Sequence, residues 1–95
     1  MKVVYTDEAL ENLAGILAYI ASHYPTIYGA FQNRLRSVVS RIRQWPESAQ
    51  EVEGRPGVRV VPLFRYPYKI FYRRTGEAIE ILYIHHVAQD EPRNT

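Results

Sequence analysis

The chain has no cysteine among its 95 residues, so it can build neither a disulfide framework nor a thiolate metal site. Its three histidines, His23, His85 and His86, stand without partners at zinc-ligand spacing, which argues against a structural metal. No apolar run approaches the roughly 20 residues needed to cross a bilayer. The opening Met1-Lys2-Val3-Val4-Tyr5-Thr6-Asp7 carries no apolar signal segment. A reducing cytoplasm is therefore the expected location, with no membrane partner. There is no internal repeat and no low-complexity segment. The length fits a single domain over 1–95 with a modest core, two helices on a sheet and little more. That leaves no room for a separate cofactor domain, so no cofactor is expected and a nucleotide-dependent enzyme is disfavoured.

The formal charge is small, +2, but arginines outnumber lysines ten to two and most lie at Arg34 or later. Arginine suits planar recognition of phosphate and carboxylate better than lysine does. Arg34, Arg36, Arg41 and Arg43 are read as solvating a helix face. Eight tyrosines are the sharper oddity; they supply core and rim packing and, in some proteins, contact area for a partner. Tyr19, Tyr24 and Tyr28 fall near the helical turn, where they would pack two helices together.

Lys2 to Tyr5 is β-branched and aromatic and predicts an initial strand. Thr6 offers a helix N-cap, with Asp7 and Glu8 in the first turn where the helix dipole favours anions. Leu10, Leu13, Ala14, Leu17, Ile20 and Ala21 follow at steps of three and four, predicting a helix over 7–22 that Pro25 stops. Thr26 is expected to cap a second helix with the stripe Phe31, Leu35, Val38, Ile42 and Trp45, ended by Gln44-Trp45-Pro46. A short connection makes the two an antiparallel hairpin. Residues 47–57 read as a loop. From Val58 the period changes to two: strands over 58–64, 68–74 and 79–87 are joined by the turns Arg65-Tyr66-Pro67 and Thr75-Gly76-Glu77, and so run antiparallel. The polar tail 89–95 is expected to be loose. The fold class is α+β: an N-terminal strand and an antiparallel helical hairpin packed on a C-terminal β-meander.

Alternate residues of a strand share a face, and the helices should cover the less charged one. Tyr68, Ile70 and Tyr72, joined by Val58 and Val60, are assigned to that core. Arg59, Val61, Leu63 and Arg65 then fall on the open side beside Lys69, Phe71 and Arg73, a cationic frame around an apolar middle. An uncovered apolar patch on a small protein marks a binding surface; cover by the tail or a second copy is the blander alternative. Adjacent residues point to opposite faces, so one of His85 and His86 is aimed at the open side or its edge. A histidine there could act as a general acid or base, although such a pair is more often a polar strand end.

The order strand, helical hairpin, meander, together with "RPGVRVVPLFRYPYKIFYRRTGEAIEILYIHHVAQDEP" and the opening "VVYTDEALENLAGILAYI", resembles the RelE/ParE superfamily of toxins from bacterial toxin–antitoxin modules. The resemblance runs over about 3–92. It rests on the Arg59 strand, the Tyr66-Pro67-Tyr68 turn, Ile70 with Tyr72, and His85-His86. It implies a growth-inhibiting toxin of a type II (plasmid stabilisation) module, held in a hetero-oligomer by an antitoxin whose extended segment wraps it. RelE-like members are metal-free, ribosome-dependent mRNA endonucleases; ParE-like members share the fold but poison DNA gyrase.

Carried onto this sequence, Arg59 matches the first of two nuclease lysines in charge and Lys69 matches a nuclease arginine, but the second lysine position holds Val61. After the last strand, Val87-Ala88-Gln89-Asp90 offers no nuclease arginine and no tyrosine follows Tyr83. Gln89 also departs from the Ala-Arg-Asp common in ParE-like chains. The ParE-like, gyrase-directed reading is therefore ranked first, with Arg59, Val61, Leu63, Arg65, Lys69, Phe71 and Arg73 as the target- or antitoxin-binding set. A ribosome-dependent nuclease using Arg59, Lys69 and His85 or His86 is second. An inactive binding module of the same fold is third.

Overall fold

The computed structural model describes residues 1–88; the tail expected over 89–95 lies outside the described residues. β1 (Lys2–Tyr5) leads into α1 (Asp7–His23), a single 3₁₀ turn (Pro25–Ile27) and α2 (Tyr28–Gln44). β2 (Gln50–Glu51), β3 (Val58–Pro62), β4 (Tyr68–Thr75) and β5 (Ala78–His86) follow. The strands form one sheet in the order β1-β5-β4-β3-β2. β1 runs parallel to β5, and the other pairings are antiparallel. The expected α+β order is borne out: an N-terminal strand, an antiparallel helical hairpin, then a meander. The short β2 is an addition, formed inside the stretch expected as a loop.

Local chemistry explains most boundaries. Thr6 caps α1, its Oγ1 accepting from the Ala9 N–H at 3.0 Å, with Asp7 and Glu8 in the first turn. α1 ends at His23, two residues before Pro25. The expected α1 stripe is out of phase by a fraction of a turn. Ala9 and Ile20 are buried, and Leu13, Ile16 and Leu17 pack against the core, whereas Leu10, Ala14 and Ala21 are exposed. Both stripes satisfy steps of three and four; the tether of Thr6 to the sheet selects between them. Thr26 is not the cap of α2. Pro25 is pre-organised for a first helical position, so the 3₁₀ turn starts there and α2 begins at Tyr28 without a side-chain cap. Phe31, Leu35, Val38 and Ile42 are buried as expected. Trp45 is not: the backbone leaves the helix at that residue, which is 61% exposed.

The sheet face of β4 is as expected, with Tyr68, Ile70 and Tyr72 buried beneath the helices. The face of β3 is reversed. Arg59 lies opposite Tyr72 and Val61 opposite Ile70, and residues directly opposite share a face. Arg59, Val61 and Leu63 therefore belong to the helix side, while Val58 and Val60 lie on the open side against Phe71. Both rows of this strand are rich in valine, so composition cannot choose between them; the hairpin does, through Leu63 N–H donating to the Tyr68 carbonyl at 2.9 Å.

β5 carries a bulge. Tyr83 lies opposite Phe71 and Ile81 opposite Tyr72, which leaves Leu82 as the extra residue. Ile79, Ile81 and Ile84 thereby face the helices, and Tyr83 and His85 the open side. β1 pairs with β5 only as far as Ile81. Beyond it, α1 covers the edge with polar groups. Thr6 N–H donates to the Ile81 carbonyl at 3.0 Å, Thr6 Oγ1 to the Leu82 carbonyl at 2.6 Å, and Asn12 Oδ1 accepts from Ile84 N–H at 2.9 Å. These side chains stand where a further strand would otherwise pair.

Candidate functional site

The open face is built by alternation on β4 and by the bulge on β5. Phe71, Tyr83 and His85 form an aromatic row: Phe71 and Tyr83 centroids are 4.7 Å apart, Tyr83 and His85 are stacked at 4.5 Å, and Phe71 and His85 are 5.8 Å apart. Two cations cap the row. Lys69 Nζ sits 5.5 Å above the Phe71 ring, and the Arg55 guanidinium 5.4 Å above Tyr83, whose hydroxyl accepts from Arg55 Nη1. Val58, Val60, Val52 and Leu82 complete a second small core around Phe71 and Tyr83. The apolar middle of this face is thus Val58, Phe71 and Tyr83 in place of the expected Val61, Leu63 and Phe71, and it is already buried. Arg73 is neutralised by Glu80 at 2.9 Å.

His85 is the buried polar side chain of the face. It is the cross-strand partner of Lys69, its Nε2 lies 4.0 Å from a Glu8 carboxylate oxygen, and its Nδ1 has no hydrogen-bond partner among the described residues. His86 points the other way, edge-on to Tyr68 at 5.4 Å. The expectation that one of the two histidines serves the open side is met by His85. Arg59 is occupied on the helix side, donating to the Glu47 and Ala49 carbonyls at 3.2 and 2.7 Å, next to Tyr72, whose hydroxyl donates to the Pro46 carbonyl at 2.7 Å. Of the four residues expected for a nuclease, Lys69 and His85 share one face; Arg59 and His86 lie on the other.

A second feature is a groove of about 930 Å³ between α1 and the β3–β4 turn, lined among others by Ile16, Tyr19, Tyr24, Arg65, Tyr68 and His86. Exposed apolar surface gathers near it: Tyr19 stacks on His23 at 4.3 Å and is half exposed, Tyr24 is more exposed still, and Phe64 beside Arg65 is 62% exposed. Arg65 itself adopts φ 80°, a left-handed conformation that side chains rarely take. Burial holds the phenols of Tyr68 and Tyr72 above their ordinary 10.0. Tyr19 adds to the shift at Tyr68, while Arg59 opposes it at Tyr72. Sequence reasoning missed Arg55, which lay in a stretch read as loop. It also missed Tyr83, placed on this face by a bulge that leaves no mark in composition. No group of three His, Cys, Asp or Glu residues able to hold a metal occurs among the described residues.

An N-terminal strand and a helical hairpin on a mixed five-stranded sheet define the class of small α+β toxins that the sequence resembles. A family model described as the ParE toxin of the type II toxin-antitoxin system, parDE, matches residues 3–91, and the chain belongs to that family. Among solved structures it is similar to the chromosomal ParDE toxin–antitoxin system from P. aeruginosa, at 25% identity and a TM-score of 0.77, over 90% of this chain and 95% of that one. It also shares its fold with the isolated E. coli RelE toxin, at 14% identity and a TM-score of 0.64, over 95% of this chain and 87% of that one. Among curated proteins no significant match is found. No helix among the described residues is long and apolar enough to cross a membrane.

Proposed function

We propose that this ParE-type toxin acts in the cytoplasm by binding DNA gyrase, without being an enzyme itself, and that a cognate antitoxin neutralises it in a hetero-oligomer. The observation that carries this reading is the division of the candidate nuclease residues between two faces. RNA cleavage by an attacking 2′-hydroxyl needs a base, an acid and cations converging on one phosphate. Arg59 and His86 cannot converge with Lys69 and His85 through the sheet that separates them. Val61, at the second lysine position, is half-buried and packs against the core on the helix side. Of the expected contact set, Arg65, Lys69 and Arg73 are the residues proposed to meet a partner, while Arg59, Val61, Leu63 and Phe71 hold the scaffold beneath them.

Purified toxin is expected to block supercoiling of relaxed plasmid by gyrase and to leave ribosome-bound message intact. Full supercoiling in the presence of excess toxin would remove the proposal. One observation favours the second reading, ribosome-dependent message cleavage: Lys69 and His85 are cross-strand partners on one face, beside the Tyr83 ring. That reading requires message cleavage in a translating extract that disappears with Lys69→Ala.

A further inference from the structure

Residues 12–46 contain no carboxylate, yet they carry Arg34, Arg36, Arg41 and Arg43. Twelve cations against ten carboxylates give the chain +2, so this stretch holds +4 and the remainder, eight against ten, holds −2. All four arginines lie on α2. The dipole favours Arg41 and Arg43 in the last turn. It gives no reason for Arg34 and Arg36 in mid-helix. Among the described residues none of the four pairs with a carboxylate, and Arg36 alone makes a side-chain hydrogen bond, to Asn33 Oδ1.

Their arrangement is regular. Phe31, Leu35, Val38 and Ile42 take the inner face of α2. At 3.6 residues per turn, Arg34 and Arg41 form one row and Arg36 and Arg43 another on the opposite flank, each pair about 10.5 Å apart along the axis. Between the rows runs an exposed strip of Asn33, Ser37, Ser40 and Gln44. The strip contains no apolar or aromatic group. The centre of this surface offers no aromatic or aliphatic anchor of the kind that fills a pocket at a protein interface. It offers arginine forks that match phosphate oxygens, with hydroxyl and amide groups that also bind phosphate.

We infer that the outer face of α2 is a docking surface for the sugar-phosphate backbone of duplex DNA. An α-helix with its side chains is about 10–12 Å across, and the major groove of B-form DNA is about 12 Å wide. A helix ridge lying along that groove brings one arginine row to the phosphates of each strand. The major groove of an RNA duplex is too narrow to admit it. Contacts of this kind carry no sequence information, so binding is sequence-independent and strongly salt-dependent. The inference stands apart from the gyrase reading, because the DNA is titrated with no topoisomerase present. For a toxin directed at a DNA-bound target it adds a grip on the DNA itself.

The test is fluorescence anisotropy of a labelled mixed-sequence duplex of about 20 base pairs, titrated with the full chain at several salt concentrations. Micromolar binding is expected at low salt, with log K falling against log salt at a slope of roughly three to four, about 0.9 for each phosphate neutralised. Arg36→Gln with Arg43→Gln should lower that slope by about two and weaken binding more than tenfold. Lys2→Gln with Arg74→Gln removes the same charge elsewhere and should bind as the parent does, with circular dichroism checking that both variants are folded. The inference is overturned if the parent does not bind, or if the two double variants lose equally. Equal or tighter binding of an RNA duplex of the same sequence, or of a polyglutamate peptide, overturns it as well.

Discussion

Thr6 ties the start of α1 to β5 through one hydroxyl. It caps α1 by accepting from Ala9 N–H at 3.0 Å and donates to the Leu82 carbonyl at 2.6 Å, at the bulge of β5. Its own N–H donates to the Ile81 carbonyl. Loss of a helix cap and of a half-buried carbonyl's partner together should make Thr6→Ala less stable by about 2 kcal/mol, read as a lower urea midpoint. Thr6→Ser keeps the hydroxyl and should recover most of it. A Thr6→Ala variant that melts with the parent would show that the bulge holds α1 by some other means. Asn12 acts comparably further along α1, satisfying Ile84 N–H where β1 has run out.

Among the elements, the two hairpins of the meander contrast. The β4–β5 connection is the two-residue turn Gly76-Glu77, with Gly76 at φ 60°, the positive value that such a turn asks of its first residue. The β3–β4 connection has a similar need at Arg65, at φ 80°, and meets it with a side chain. A non-glycine residue held there costs on the order of 1 kcal/mol, and such strain gathers at functional sites. Arg65 also lines the groove beside Tyr19 and Tyr24. Arg65→Gly is therefore expected to raise stability by up to about 1 kcal/mol, release of strain outweighing the added freedom of the unfolded chain. Growth arrest on expression should weaken at the same time. A melting temperature that falls, or arrest at full strength, would show that Arg65 is there for packing.

At the scale of the whole molecule, three phenols tie stability to alkaline pH. Burial raises Tyr5, Tyr68 and Tyr72 above the ordinary value of 10.0. Above pH 10 the unfolded chain gives up these protons first, so it binds fewer than the folded one and stability falls as pH rises. Their contribution is complete below pH 10 and lost upward through the folded values. Thermal melting followed from about pH 8 to pH 11 should show a flat region and then a decline, shallower in Tyr5→Phe. A melting temperature that holds through the alkaline range would mean that these rings are hydrated in the folded state. The distribution of charge also belongs to this scale: four arginines on α2 on one side of the sheet, and cations over aromatic rings on its far face.

The order of the main elements was legible in the sequence because most of their boundaries have a local cause: Thr6 as a cap, Pro25 and Pro46 as stops, and the change of period at Val58. The core row Tyr68, Ile70 and Tyr72 was legible too, since its alternation with Lys69 and Arg73 admits one choice of inner face. The face of β3 was not, because Val58 and Val60 are as apolar as Val61 and Leu63, and only the pairing of Arg59 with Tyr72 decides between them. The phase of α1 was likewise open until the Thr6 tether fixed it. Arg55 and Tyr83 became neighbours through a loop and a bulge, long-range events that no local pattern records. Local sequence determined which residues form helices and strands. Tertiary pairing decided which way they face, because a one-residue change of register moves every side chain of a strand to the other side of the sheet.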